Sequence, residues 1–199
     1  MGQSEHYQTH LMAAKMCHDL ATPLSAMNLL LDFAFEHCKD PHIESTFRES
    51  LEKSSHRIQF YRLLLSANET LPCYADVFQL LCGCARLSKV AIDLPIDCPD
   101  GVAARLLLGL SYLMIEALTK GGELLVTLDD DSLIFKSEAT SFQMRKGYLE
   151  MLQHPDSQEL NVRNILPYYI AKLAESLRVS IHVEIKNHTH LIISTQTLQ

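Results

Sequence analysis

The stretch Cys17-His18-Asp19-Leu20-Ala21-Thr22-Pro23-Leu24 holds the residue types best suited to chemistry. A neutral imidazole nitrogen attacks phosphorus directly, and the phosphoramidate it forms stays reactive enough to be passed on. Asp19 can accept a hydrogen bond from one ring nitrogen of His18 and leave the other to attack. Thr22 lies four residues on, one helical turn further along the same face, where its hydroxyl can orient a water or a phosphate oxygen. Pro23 brings no N–H. In a helix the carbonyl of Asp19 therefore loses its partner, and the helix can bend just past the histidine.

These side chains need a rigid element to present them, and the apolar pattern around them predicts one. Ala13, Met16, Leu20, Leu24, Met27, Leu31, Ala34 and Cys38 recur at spacings of three and four, a heptad-like seam. A helix turns about 100° per residue, so His18 points about 160° to 180° away from Leu20 and Met27. It shares an exposed face with Lys15, Thr22, Ser25, Asp32 and Glu36, and Lys15 and Ser25 are read there as partner-binding residues. A lone exposed histidine on a helix ordinarily signifies nothing. Asp19, Thr22 and Pro23 beside it make this one a candidate, with His18, Asp19 and Thr22 as the catalytic set.

Asp40-Pro41 breaks the first helix, because proline disfavours helical geometry in the residue before it. A second seam follows at Phe47, Leu51, Ser54, Ile58, Tyr61 and Leu65. Two long helices joined by a short turn make an antiparallel hairpin. Phe33, Phe35, Phe60, Leu63 and Leu64 widen the apolar face beyond one seam. A second copy would bury that surplus in a four-helix bundle across a two-fold axis, and the competing reading packs it on the rest of the chain.

Leu71-Pro72 ends the second helix and the texture changes. Residues 75 to 88 read as a helix, Val90 to Leu94 as a strand, and residues 101 to 120 as an apolar helix closed by Gly121-Gly122 in the manner of a C-cap. Glu123 to Leu128 and Ser132 to Ser137 read as strands around the acidic turn Asp129-Asp130-Asp131. A short helix over 143 to 152, a helix from Asn161 to Leu177 containing Pro167, and strands over Val179 to Lys186 and Thr189 to Thr195 complete the pattern. The expected architecture is α+β. A helical hairpin over residues 1–70 forms a dimeric four-helix bundle, and an α/β two-layer sandwich follows over 71–199.

Composition sets bounds. The 199 residues are 47% hydrophobic and 21% charged, ordinary for a globular protein able to build its own core. A net charge of −7 argues against a nucleic-acid partner. No charged and then apolar leader opens the chain, and the apolar run Leu106 to Ile115 is too short to cross a bilayer, so the chain reads as cytoplasmic with no membrane partner. The six cysteines form no C-x-x-C pair and read as reduced thiols. His182, His188 and His190 cluster near an Asn187 turn and read as surface histidines, with no metal site expected.

His18, Asp19, Leu20, Thr22 and Pro23 match the pattern His, acid, aliphatic, any residue, Thr or Asn, Pro. The segment thus resembles the dimerisation and phosphoacceptor segment of histidine kinases. The whole chain more closely resembles the alphaproteobacterial histidine phosphotransferases of the ChpT type. These pair such a hairpin with a degenerate form of the kinase ATPase domain. The resemblance covers nearly the full length. It is strong over residues 12 to 35 and weaker over Arg105–Thr127 and Pro167–Glu184.

The second half departs from the kinases. Glu116-Ala117 stands where their asparagine pair would be, no Asn occurs between 101 and 160, and only Gly147 lies between 123 and 199. With so little glycine the backbone cannot wrap phosphates as their nucleotide loops do. The resemblance implies a phosphotransferase that relays a phosphoryl group between receiver-domain aspartates through His18. It implies a homodimer whose partners are response-regulator receiver domains and a hybrid histidine kinase. No cofactor is expected, since receivers bring their own Mg²⁺. The alternatives are a diverged histidine kinase and a scaffold that binds a receiver without chemistry.

Overall fold

A computed structural model describes residues 2–37, 41–66, 71–98, 100–129, 132–157, 159–186 and 189–197. Expectations on Cys38, Asp40, Asp130, Asp131, Asn187 and His188, and on the side chains of 32–37, lie outside the described residues. The two long helices are present as α1 (Gly2–His37) and α2 (Pro41–Leu64). Pro41 opens α2 at the position where its missing N–H costs nothing. Glu44 sits in the first turn and Arg62 in the last, each complementing the helix dipole. The pairs Glu44–Arg48 and Glu49–Lys53 add i,i+4 support along the outer face.

The α1 seam differs from the expected one. Leu11, Met12, Lys15, Pro23 and Met27 are buried, whereas Ala13, Leu24 and Leu31 are exposed. On α2, Ser54 and Tyr61 turn inward and Leu51 and Ile58 remain exposed. Each helix thus splits its apolar residues between two directions. One set closes the hairpin. The other, Leu24 and Leu31 with Leu51 and Ile58, stays exposed. The remaining surplus follows the competing reading: Phe60, Leu63 and Leu64 are buried in a core that continues into the rest of the chain.

That core is built around α4 (Val102–Ala117), which is buried on nearly every side. α3 (Tyr74–Leu87) packs on it through Val77, Leu80, Leu81, Cys84 and Ala85. The free N–H of Tyr74 donates to Asp100 at 2.5 Å and so caps α3. α6 (Ile165–Ser176) follows the short α5 (Tyr148–Gln153). The ring of Phe60 stacks on Tyr112 of α4 with centroids 3.8 Å apart. Tyr169 of α6 donates to the Leu64 carbonyl at 3.2 Å, and Arg105 donates to the Ser66 carbonyl at 2.5 Å. Gln8 of α1 reaches the Tyr168 hydroxyl at 3.1 Å.

The sheet comprises β1 (Val90–Asp93), β2 (Gly122–Asp129), β3 (Ser132–Glu138), β4 (Val179–Lys186) and β5 (His190–Thr197), in the order β1-β2-β3-β5-β4. β1 and β2 are parallel and α4 is their crossover; the other pairings are antiparallel. Alternation decides the faces: Leu124, Val126, Leu133, Phe135, Leu191 and Ile193 point into the core, and Leu125 and Lys136 point away. The architecture is the expected α+β sandwich.

Some boundaries move. α4 ends at Ala117 rather than in a glycine cap, and Gly121-Gly122 instead leads into β2. Gly121 has φ +80, and a Cβ there would stand 2.6 Å from the Lys89 carbonyl, which demands glycine. α5 starts only at Tyr148, after Gly147 in the left-handed region. Among the described residues no helix is long and apolar enough to cross a membrane. No disulfide joins the described cysteines, and no group of three His, Cys, Asp or Glu among the described residues could hold a metal ion.

Candidate functional site

His18 stands in the middle of α1 with its side chain 67% exposed, so a partner surface can reach it. Its Nδ1 lies 3.2 Å from Oδ1 of Asp19. Asp19 itself points inward, toward α2. Its other oxygen, Oδ2, accepts hydrogen bonds from Lys15 Nζ and from the Tyr61 hydroxyl. Burial by itself raises the Asp19 carboxyl. The hydrogen bonds from Lys15 and Tyr61, with the charge of Lys15, outweigh that and hold it below its ordinary value.

The ionisation of Asp19 decides the state of the histidine. An ionised carboxylate has no proton to give, so its contact with Nδ1 needs a hydrogen on Nδ1. In a neutral ring Nε2 then keeps its lone pair. Tyr61 is held in its protonated, donating form, first by burial and then by Asp19. The arrangement is a chain: Tyr61 and Lys15 fix Asp19, Asp19 fixes the tautomer and tilt of His18, and His18 presents Nε2 to solvent.

Pro23 is buried in α1, and the carbonyl it leaves without a helical donor is not abandoned. Arg57 of α2 reaches across the hairpin and donates from Nη1 to the Asp19 carbonyl at 2.6 Å. Burial alone would lower the Arg57 guanidinium, but Tyr112 and Glu116 more than offset this and raise it, so the donor stays charged.

The structure thus brings His18 and Asp19 into contact and leaves Thr22 and Ser25 exposed on the same helix. Lys15 departs from expectation. It is only 2% exposed and does not share the open face of His18. The reason is its i,i+4 relation to Asp19: that partner faces α2, and the lysine follows it into the hairpin. Sequence reasoning missed Tyr61 and Arg57. Two signals pointed to them. A tyrosine in a heptad seam must find a partner for its hydroxyl, and a helical proline leaves a carbonyl that must find a donor.

Comparisons with known proteins bear on the family and the fold. The family model described as histidine phosphotransferase C-terminal domain matches residues 75–189, more than half of the chain. The protein phosphotransferase ChpT of Brucella abortus (strain 2308) is 24% identical over 191 residues, covering 86% of this chain and 88% of its own length. A solved bacterial phosphotransferase superposes with a TM-score of 0.81 at 20% identity, covering 95% of each chain.

Proposed function

Because this chain belongs to the histidine phosphotransferase family, we propose that its phosphoryl group travels on His18 and that it is exchanged with the aspartates of receiver domains. One observation carries the reading: an exposed imidazole on a rigid helix, with Nδ1 engaged by an ionised Asp19 and Nε2 open.

In the forward step Nε2 attacks the phosphorus of a receiver's aspartyl phosphate. The N–P bond forms, the P–O bond to the receiver breaks, and the aspartate leaves as a free carboxylate. Positive charge develops on the ring, and the Asp19 carboxylate at Nδ1 stabilises it where it forms. The reverse step hands the phosphoryl group to a second receiver by the same atoms. Two receivers must reach one nitrogen in turn, which favours a single exposed face bearing Thr22 and Ser25. The Thr22 hydroxyl, one turn away, is suited to orient water and so to drain phosphate rather than to carry it.

The Mg²⁺ of the reaction belongs to the receiver, and ATP is not a substrate in this reading; Glu116 at the expected asparagine position and the scarcity of glycine in residues 123–199 support that. The donor is a receiver linked to a hybrid histidine kinase, and the setting is the cytoplasm. The working unit is a homodimer, supported by the exposed stripe of Leu24, Leu31, Leu51 and Ile58.

The test is label transfer. A receiver carrying labelled phosphate should label the unsubstituted protein on histidine, and His18→Gln should accept none while keeping its fold. Transfer to His18→Gln at a comparable rate would overturn the assignment. Labelling from ATP alone would favour the diverged kinase, and receiver binding without any transfer would favour the scaffold.

A further inference from the structure

A groove of about 510 Å³ runs between α1 and α6. Its size falls within the range of small-molecule sites. It lies apart from the phosphoacceptor. Thr9, on the α1 wall, is nine residues before His18, so at about 100° per residue the two point to opposite sides of the helix. None of His18, Asp19, Arg57, Tyr61 and Glu116 lines it. The wall is predominantly apolar: Met12, Met16, Leu65 and Ile165 face the two rings of Tyr168 and Tyr169. Thioethers are polarisable and adapt their shape, and aromatic rings stack, so this wall favours a flat apolar body.

Charge on the wall decides the charge of the ligand. Lys172 is the one charged side chain there among the described residues. It is already matched: Nζ lies 3.1 Å from Asp156 Oδ2 and 3.0 Å from Glu175 Oε2, and it sits over the Tyr168 ring, 5.6 Å from the centroid. An anion entering the groove meets two carboxylates behind one ammonium, and a cation must compete with the lysine for them. A neutral ligand meets neither obstacle. Hydrogen bonding decides its polar group. Tyr169 gives its proton to the Leu64 carbonyl at 3.2 Å. The Tyr168 hydroxyl accepts from Gln8 Nε2 at 3.1 Å and, among the described residues, gives its own proton to none. A half-buried phenol seeks an acceptor for that proton, and a ligand's carbonyl oxygen supplies one.

We propose that this groove binds a neutral, mainly apolar small molecule with one carbonyl-type acceptor, to which Tyr168 donates. Such a ligand bridges α1, which carries His18, to α6 of the second half, beside the Gln8–Tyr168 hydrogen bond that already joins them.

The probe is benzophenone, which has two flat apolar rings, one carbonyl and no charge, and which photolabels nearby C–H bonds. Irradiated with the full chain, it should label Met12 or Met16, read by peptide mass spectrometry, with half-saturation below about 0.5 mM. The carboxylate analogue para-benzoylbenzoate should label at least about tenfold more weakly. Tyr168→Phe keeps the ring and removes the donor, so half-saturation should rise about fivefold or more. Ala13 lines the groove and is exposed, so Ala13→Trp should fill the space, abolish labelling and keep the melting temperature. Should it unfold, Tyr168→Phe decides. His18→Gln should label as the unsubstituted protein does. Unsaturable labelling, equal labelling by the carboxylate, indifference to Tyr168→Phe, or loss of label in His18→Gln would overturn the proposal. So would labelling confined to Leu31→Lys/Leu51→Lys, which would show that a second copy covers the groove. No receiver domain is used, so the result is independent of the relay at His18.

Discussion

Arg57 Nη1 donates to the main-chain carbonyl of Asp19 at 2.6 Å, so a residue of the second helix replaces the hydrogen bond that Pro23 removes from the first. The contact joins the two helices at the turn that carries His18. Proline five residues after His18 therefore has a structural consequence: it turns a helical hydrogen bond into an interhelical one.

This relation predicts a thermodynamic cycle. Arg57→Met should cost about 1–3 kcal/mol, because a half-buried carbonyl is left without a donor. Pro23→Ala restores an N–H to α1, and in that background Arg57→Met should cost clearly less. Chemical denaturation of the four proteins measures the coupling. Strict additivity would show that the contact contributes nothing.

Asp19 predicts a response to acid. Its folded value lies below the ordinary 3.8, so its contribution is complete above that value and is lost as pH falls through the folded one. Lys15→Met removes the principal hydrogen bond opposing burial and lets the carboxyl rise. The acid-unfolding midpoint should then move up by roughly half a pH unit or more. Tyr61→Phe should move it in the same direction by less. Superimposable acid-unfolding curves followed by circular dichroism would contradict the network.

The exposed stripe predicts a dimer that can be split without unfolding. Leu31 and Leu51 are 41% and 53% exposed in the protomer. Lysine at both positions leaves the hairpin's own contacts in place. Across a two-fold axis it withdraws four leucines, each worth about 1.5–3 kcal/mol when fully buried. Light scattering should report a dimer for the unsubstituted chain and a helical monomer for the variant. A monomer at micromolar concentration before any substitution would end this reading.

Gly109 predicts a cost where helix propensity predicts a gain. Alanine in mid-helix is favoured by about 1 kcal/mol. A Cβ at Gly109, however, would lie 2.8 Å from Ile170 Cγ1 of α6. Overpacking of about 1–3 kcal/mol should win, and the melting temperature should fall. In an Ile170→Ala background the same change should become neutral or stabilising, which a pair of melting curves can decide.

The order and type of the elements were legible in the sequence because they depend on local pattern. Seams at three and four, alternation at two, and Pro41 and Pro72 as punctuation located the helices and strands of the described residues to within a few residues. The contact of His18 with Asp19 and the exposure of Thr22 were legible for the same reason: a histidine beside an acid, one turn before a threonine and proline, is a local arrangement. What only the tertiary structure decided was direction. A seam at alternating spacing does not say which of its residues meet the hairpin partner and which face outward, so Leu24 and Leu31 emerged exposed and Lys15 buried. Tyr61 and Arg57 lie about forty residues from Asp19 in the chain. Only the packing of α2 on α1 makes them its partners, because a buried carboxylate and an orphaned carbonyl take whichever donors the fold brings near.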